Sequence, residues 1–413
     1  MKKTTLLLAL LLTSILGADK NTTLNKQQVD RPSRLAEGYG TNQLLSDNLP
    51  YMPDMKIENS IKFVGDIRLR SQTIKDEEST QSKFRYRVRA GFQAKVNDNT
   101  KIEFMLATGE GDPVSTNQDF GNGFSGANVI IDIADIYYEY GYHSFIRAGK
   151  MKLPFYRVQK NQMLWDNDLR PEGIFTKYKL LQNTDITVGA FIVRGDAQTP
   201  KQNDTNTTLS NPEGDSVYLY TTQVVQHLGY FRVGASANVY SSLKGESPYV
   251  MYNSGKYSEG GSANDGQGKN LSKGNSLDAN GNYLYDYYLA EVFAKYKITD
   301  SLAVGIDYIY NFAIKENNHA FNISLMYGKL KKNGDYKLGY YYRDTQKDAV
   351  LGAYSDSDFA GGYTDSKGHQ LMAGYQLAKN TQLAVTYIYS TKYVSTPIPE
   401  NFQCLHLDLK FKF

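Results

Sequence analysis

The sequence predicts an all-β protein: a transmembrane antiparallel β-barrel of about sixteen strands, with short periplasmic turns and long extracellular loops. Three observations predict it. Apolar and polar residues alternate with a period of two in one segment after another, short and long connectors alternate between these segments, and the chain carries 34 Tyr and 18 Phe against one Trp. Tyrosines repeated near strand ends are typical of the aromatic girdles of such barrels.

The N-terminus predicts export. The apolar run Thr4–Leu16 follows two lysines and ends in small residues, which is the pattern of a secretory signal peptide over residues 1–18. No later segment offers the roughly 20 apolar residues of a spanning helix. Residues 19–55 show no sustained period, and we interpret them as a periplasmic leader, a short helix or a partial plug. The barrel domain is expected over residues 56–413.

The last residues of the chain show the alternation best. Apolar residues stand at every second position, with polar ones between them: Leu405, Leu407, Leu409, Phe411 and Phe413 alternate with Cys404, His406, Asp408, Lys410 and Lys412. In a strand these two sets face opposite sides. A terminal Phe after such a pattern resembles the C-terminal signal read by the barrel assembly machinery, which we therefore expect as a partner. The alternative, a strand of a soluble sandwich, is disfavoured because sandwich strands are usually shorter, at about 5–6 residues.

The first two strands are predicted near Ile57–Gln72 and Lys83–Val96. In both, arginines fall on the face opposite the apolar residues. An arginine on the lipid face would cost about 2–4 kcal/mol at the middle of the bilayer, so we expect these side chains to face the lumen.

The connectors give the strand count. Seven short turns are predicted near Asn97–Thr100, Gly141–His143, Gln182–Thr184, Leu228–Gly229, Ile298–Ser301, Lys329–Asp335 and Ala378–Asn380. Eight longer loops are predicted near Thr73–Ser82, Gly109–Asn128, Lys152–Glu172, Arg194–Gly214, Ser241–Tyr283, Lys315–Asn318, Asp344–Gly368 and Thr391–Glu400. Seven turns and eight loops join sixteen strands, an even number as in bacterial barrels.

Four segments in a fixed order carry a family resemblance. They are Phe84–Asn99, Leu106–Asn117, Ala148–Phe155 with Leu164–Gly173, and Ser357–Gly368. Together they resemble the putative porin family of Gram-negative outer-membrane β-barrels, over roughly residues 57–413. The resemblance implies an outer-membrane porin: a passive diffusion channel for small hydrophilic solutes and ions, with no catalytic residue. Large porins as a class also lead us to expect a homo-oligomer, a trimer.

Charged residues of the lumen face are the candidates for pore lining. They are Arg68, Arg70, Arg85, Arg87 and Arg89, with Glu103, Asp135 and Glu139, which together with Asp66 are the acidic partners suggested by parity. One interpretation is a basic ladder that lowers the barrier for anions. The other is a set of arginines pinned to acids of inward-folded loops, which gives rigidity and little selectivity. The sequence leaves both open.

The third long loop is the candidate constriction. It holds several charges and the single tryptophan, Trp165, and the resemblance points to Arg157, Asp166, Asp168 and Arg170 near the narrowest point. The alternative is an ordinary surface loop. Another loop carries Asp356, Asp358 and Asp365. Its spacing lacks the terminal glutamate of a calcium loop, so we expect it to be solvated.

Other function classes find little support. The net charge is +3, or about +1 without the two lysines of the leader, which argues against nucleic acid. The five histidines and the single Cys404 form no metal motif, and no nucleophile motif occurs, so we expect no enzymatic activity, metal or cofactor. Outer-membrane lipids, lipopolysaccharide and small hydrophilic solutes are the expected partners. A substrate-specific anion or oxyanion channel and a surface-loop adhesin or structural barrel remain the alternative functions.

Overall fold

The computed structural model describes residues 61–77, 79–109, 112–121, 123–194, 216–246, 248 and 272–413. All of them belong to one compact unit, Lys56–Phe413. The predicted signal peptide and the leader over residues 19–55 lie outside the described residues. In the part of the chain that is described, no helix is long and apolar enough to cross a membrane.

The described residues form sixteen long strands and one strand of two residues, β4. Their bounds are β1 Ile61–Lys75, β2 Thr80–Lys95, β3 Thr100–Thr108, β4 Gln118–Asp119, β5 Val129–Gly141, β6 Ser144–Lys150, β7 Glu172–Leu181, β8 Thr184–Arg194, β9 Val217–Leu228, β10 Phe231–Tyr240, β11 Tyr288–Lys297, β12 Leu302–Asn311, β13 His319–Gly328, β14 Tyr336–Thr345, β15 Ser366–Ala378, β16 Thr381–Lys392 and β17 Glu400–Lys412. The predicted strand number is confirmed.

The long strands close into an antiparallel barrel. Each pairs with its neighbour along the chain, and β17 returns to pair with β1 over ten residue pairs, from Asp66↔Lys412 to Lys75↔Gln403. The two-residue β4 only adds to β2 where β3 has ended. Closure leaves the sixteen-strand sheet without an open edge, which is the condition for a sheet to lie in hydrocarbon.

Apolar side chains point outward and polar ones inward. On β17, Leu407 and Phe411 are 49% and 37% exposed, whereas the intervening His406 and Asp408 are 2% and 3% exposed. The same inversion runs around the barrel, because the large exposed side chains are mainly Leu, Ile, Val, Phe and Tyr and many of the buried ones are Arg, Asp, Asn and Gln. A soluble sandwich would have the opposite arrangement, so that alternative is wrong.

The two ends of the barrel wall meet at Gly65. The backbone of Phe413 both donates to and accepts from Gly65, at 3.1 and 3.0 Å. The Phe413 ring lies over this glycine, where a Cβ atom would overlap the ring. The terminal aromatic residue therefore closes the seam between β17 and β1, and it does so on the outer face, where it is 57% exposed.

The connectors fall on two rims. Because strands alternate in direction, the seven short turns share one end of the barrel, the turn rim, and the longer connectors share the other, the loop rim. Several predicted boundaries need correction. The loop predicted to end at Tyr283 continues to 287, and the loop predicted at Asp344–Gly368 spans 346–365. The pairing of β1 with β2 continues to Lys75↔Thr80, so the first loop spans only 76–79 instead of Thr73–Ser82. The loop predicted at Lys315–Asn318 spans 312–318.

The connectors 151–171 and 346–365 fold into the barrel. Met163 and Trp165 of the connector 151–171 share an apolar cluster with Val350 and Leu351 of the connector 346–365. The cluster packs against lumen-facing wall residues such as Phe191. Burial of this apolar surface holds both segments inside, so the lumen is narrowed by polypeptide from the loop rim.

Candidate functional site

The five predicted arginines stand on the lumen face of β1 and β2. The register places Arg68 opposite Arg87 and Arg70 opposite Arg85, whereas Arg89 lies opposite Asp66. Their side chains are buried or largely buried. Like charges directly opposite each other destabilise a sheet, so this arrangement requires counter-charges.

Aspartates from distant segments supply counter-charges at the upper part of the ladder. Arg70 Nε donates to Asp408 Oδ1 on β17 at 2.7 Å, and Arg70 Nη1 reaches Asp358 of the connector 346–365 at 3.2 Å. Arg85 Nε donates to Asp119 of β4 at 2.7 Å. These contacts tie β1 to β17 and to the connector 346–365, and β2 to β4.

The middle of the ladder holds the third loop. Arg87 contacts Asp66 at 2.5 Å and Asp168 at 3.5 Å. Arg89 contacts the same Asp168 carboxylate at 3.1 Å and Asp132 of β5 at 3.3 Å. One loop carboxylate is therefore shared by two wall arginines.

Asp132 is a member of this cluster that the sequence analysis missed. The β3–β5 register shifts at Met105/Leu106, with Met105 paired to Ile133 and Leu106 paired to Ile131. The bulge leaves Asp132 unpaired in the ladder and turns it inward beside Ile133. Strict alternation along β5 places Asp132 on the lipid face. The only sequence signal of the bulge is therefore a charged residue at a position that alternation assigns to lipid.

The remaining predicted acidic residues face the lumen but form no ion pair with the ladder arginines. Glu103 and Asp135 pair with Arg147 of β6, at 2.6 and 2.8 Å. Glu139 accepts a hydrogen bond from Tyr137 at 3.4 Å. Of the four acidic partners suggested by parity, only Asp66 contacts a ladder arginine, because Arg147 stands closer to Glu103 and Asp135 than the ladder does.

Most charges of the ladder and its surroundings are paired. Six aspartates, Asp66, Asp119, Asp132, Asp168, Asp358 and Asp408, stand among eight basic residues: Arg68, Arg70, Arg85, Arg87, Arg89, Arg170, Lys83 and Lys410. Among the residues that the structure describes, Arg68 contacts no carboxylate, and it donates instead to Asn117 Oδ1. This geometry favours the second interpretation of the ladder, arginines pinned to acids of inward-folded segments.

The connector 151–171 crosses the lumen from the ladder to the opposite wall. At its ladder end, Asp168 meets β2, and Arg170 Nε reaches Asp132 at 3.0 Å. At its tip, Gln159 Nε2 donates to Ala303 O of β12 at 3.0 Å, and Tyr341 of β14 donates to Gln159 O at 2.7 Å. The strand order places β12 across the barrel from β2.

The tip of this loop packs against a glycine of the barrel wall. At Gly305 of β12, a Cβ atom would overlap Val158 Cγ1 and lie 2.7 Å from Ser324 Oγ. The missing side chain thus lets Val158 approach the backbone of the strand. Gln159 and Lys160, next in the chain, both adopt left-handed backbone conformations, with φ of 55° and 64°. The tip is a tight turn fitted to the wall.

Inside the loop, Arg157 is a brace. Its Nη1 donates to Trp165 O at 2.7 Å, and its Nη2 donates to Asn167 Oδ1 at 2.6 Å. It makes no ion pair among the described residues. Burial lowers the pKa of Arg157, and the charges of Asp166 and Glu291 oppose that shift.

Two carboxyl groups of the loop, two residues apart, are pushed in opposite directions. Burial raises the pKa of Asp166 well above its ordinary value, and the nearby charge of Asp168 adds to the shift. Burial would also raise the pKa of Asp168, but the charges of Arg89 and Arg87 outweigh it and hold that pKa well below the ordinary value. Asp168 is the charged latch, whereas Asp166 accepts backbone hydrogen bonds from Asp168 and Ser357, at 2.7 and 3.0 Å.

The connector 346–365 completes the constriction, and its predicted solvation is wrong. Asp356 is 3% exposed and pairs with Arg343 at 3.0 Å, and Asp365 is 4% exposed and accepts from Ser395 N at 3.0 Å. The two inward loops bind each other, since Asp166 N donates to Tyr354 O at 2.8 Å. No group of three or more potential metal ligands occurs among the described residues.

The model of a family described as "Putative porin" matches residues 58–279 and 276–413. The chain belongs to the putative porin family. The match spans nearly all of the described part of this porin, including both inward loops.

Solved structures similar to this porin include two from bacteria. A triple mutant of the Rhodopseudomonas blastica porin is 12% identical, with a TM-score of 0.47, and covers 86% of this chain and 100% of its own. A loop-deletion mutant of OmpT, an outer membrane protein of Vibrio cholerae, is 12% identical, with a TM-score of 0.48, and covers 86% of this chain and 99% of its own. No curated protein matches in sequence. Because the sequence identities are 12% and the TM-scores are below 0.5, these similarities support no statement about function. The barrel fold is established by the strand pairings of this chain.

Proposed function

We propose that this porin lies in the outer membrane of a Gram-negative bacterium and lets small hydrophilic solutes and ions diffuse passively past a constriction made by the connectors 151–171 and 346–365. The observation that supports the proposal most is that the barrel has an apolar outer face and a polar lumen. A loop crosses this lumen and contacts the wall at both of its ends. Sixteen strands leave room for water, whereas about eight would be filled by side chains. No catalytic step is needed.

The ladder has a structural role in this proposal. Because Arg87 and Arg89 are neutralised by Asp66, Asp132 and Asp168, the ladder holds the loop in place and gives the channel little anion preference of its own. A passing ion meets paired charges, whose fields largely cancel beyond contact distance.

The partners follow from the outer face and the seam. Leu, Ile, Val and aromatic side chains of the outer face suit lipid and the acyl chains of lipopolysaccharide. The terminal strand, ending in Phe413, is the proposed recognition element for the barrel assembly machinery. A homo-oligomer, a trimer, belongs to the same proposal.

Solute permeation tests the function. Purified protein reconstituted into liposomes should cause swelling in isotonic solutions of small sugars, at rates that fall steeply with solute size. Swelling by monosaccharides and none by trisaccharides is the expected result for a lumen narrowed by two loops. Liposomes that stay as tight as protein-free ones, with correctly inserted barrel, would show that the lumen does not conduct solutes, and the long loops would then be the functional part.

A further inference from the structure

Four basic side chains lie on the lumen side of one wall near the turn rim, away from the ladder. They are Arg232 of β10, Lys295 of β11, Lys337 of β14 and Lys160 at the tip of the loop, and we refer to them as the basic patch. Arg232 and Lys337 each occupy the second position of a strand that leaves a short turn, and Lys295 lies two residues before the end of β11. The patch therefore lies near the turn rim, at the level of the loop tip, which contacts Ala303 and Gly305 of β12.

Strand parity and burial give the direction of these side chains. Arg232 shares its face of β10 with the buried Ser236, and Lys295 shares its face of β11 with the buried Glu291. Lys337 shares its face of β14 with the buried Tyr341. The basic residues themselves are partly or fully exposed. They thus face water inside the barrel.

Two of the four charges are direct neighbours, and Lys337 stands three strands from Lys295, about 14 Å along the sheet. Arg232 and Lys295 are directly opposite in the β10–β11 register, which brings their Cβ atoms to about 4.5–5.5 Å. Lys337 lies within the electrostatic range of both Lys295 and Lys160. Lys160 has little freedom, because Tyr341 and Ala303 fix the neighbouring Gln159.

No residue of the patch makes a direct ion pair among the described residues, although Arg232 reaches Asp185 of β8 through His227, whose Nε2 lies 3.3 Å from Asp185 Oδ2. Arg232 instead lies over the ring of Tyr156, 4.8 Å from its centroid, and donates to His227 Nδ1 at 3.2 Å. By contrast, two lysines of the same rim are paired within their turns: Lys95 with Asp98 at 2.6 Å, and Lys297 with Asp300 at 2.8 Å.

We propose that the basic patch is a binding subsite for small oxyanions with two or more negative charges, the class of phosphate, sulfate and small dicarboxylates. The inference rests on the proposed function and names its preferred solute class. Neighbouring like charges repel one another, and a mobile polyanion relieves that repulsion where no carboxylate pairs with them directly. Three ammonium groups and one guanidinium face the lumen where such an anion passes, and their exposure allows the anion to exchange with solvent. Anion preference thus arises at the patch, and the ladder only latches the loop.

The test uses sulfate as the probe, because it is a dianion throughout the neutral range. The full-length protein is reconstituted in planar bilayers, and sulfate is titrated against a chloride current. The variant K295Q/K337Q removes two unpaired charges, and the control K83Q/K95Q removes two charges of β2 that are paired with Asp119 and Asp98, on the opposite side of the barrel. The half-blocking sulfate concentration should rise by about tenfold or more in the first variant and by less than about twofold in the control. Equal shifts in both variants, or no sulfate block of the wild type, would overturn the inference.

A calorimetric titration of sulfate into the folded protein in detergent micelles separates this inference from the proposed function. Heat of binding in the wild type and its loss in K295Q/K337Q would establish the subsite even if the barrel did not conduct. Conduction without any binding of sulfate would leave the porin function in place and reject the subsite. An unchanged circular-dichroism spectrum and unfolding midpoint confirm that each variant is folded.

Discussion

Replacing Asp168 by Asn should loosen the third loop from the wall. The substitution keeps the shape of the side chain but removes the carboxylate that contacts Arg89 at 3.1 Å and Arg87 at 3.5 Å. Both guanidinium groups are largely buried, with 8% and 12% of their side chains exposed. Each retains one aspartate, Asp132 or Asp66, so the cluster gains one net positive charge inside the barrel.

The magnitude follows from the burial of the pair. Removing one partner of a buried ion pair costs about 3–5 kcal/mol, because the remaining charge has lost its compensation. Part of that cost is recovered if the loop moves and water reaches the arginines. If about 3 kcal/mol of the latch is lost, the ratio of released to latched loop rises by roughly a hundredfold, since each 1.4 kcal/mol is about a factor of ten.

Single-channel recording measures both consequences. D168N should show more frequent current fluctuations than the wild type, and its reversal potential in a potassium chloride gradient should shift toward the anion side. The matched control is D98N, which removes the same charge from a turn residue that is 95% exposed and should change little. If D168N and D98N have the same noise and the same reversal potential as the wild type, Asp168 is not a latch.

Three further predictions concern the tip, the outer face and pH. G305L should displace Val158 from its seat and raise the size limit for liposome swelling, whereas G126L, at a glycine with no neighbour within 4 Å, should leave the limit unchanged. A charge on the lipid face should cost about 2–4 kcal/mol of unfolding free energy, so L371R should lower stability in urea titrations far more than M372R on the lumen side, and equal effects would contradict the inside-out assignment. The contact of Asp168 with Arg87 and Arg89 should persist at moderately acidic pH. Because the folded-state pKa of Asp168 is lowered, its stabilising effect is complete above the ordinary pKa of an aspartate and is lost only as the pH falls through the lower folded value. Channel noise should therefore stay constant from pH 7 to about 4, and a rise near pH 5 would refute this.

The barrel could be predicted because its information is local. Each strand shows the alternation of apolar and polar residues with a period of two. Polar connectors mark the ends of the strands, as in the turn after Lys95 and the turn after Ala378. The inward direction of Arg85 and Arg87 also followed from parity alone. Errors of a few residues arose where pairing continued into a polar segment, as at Lys75↔Thr80.

The partners of the ladder could not be predicted because they come from distant parts of the chain. Arg70 and Asp408 are 338 residues apart, and Arg70 and Asp358 are 288 apart. Asp132 was hidden by a bulge that shifts parity by one residue. The inward folding of the connector 346–365 depends on Val350 and Leu351 finding an apolar partner in the third loop, which no local pattern specifies.

The central claim is that ions pass through a lumen lined by the inward face of the strands. Incorporation of single molecules into a planar bilayer tests it most directly. Stepwise current increments of uniform size, linear in voltage over a moderate range, are the predicted result. A barrel shown by proteolysis and circular dichroism to be inserted and folded, yet silent at every voltage and salt concentration, would contradict the claim.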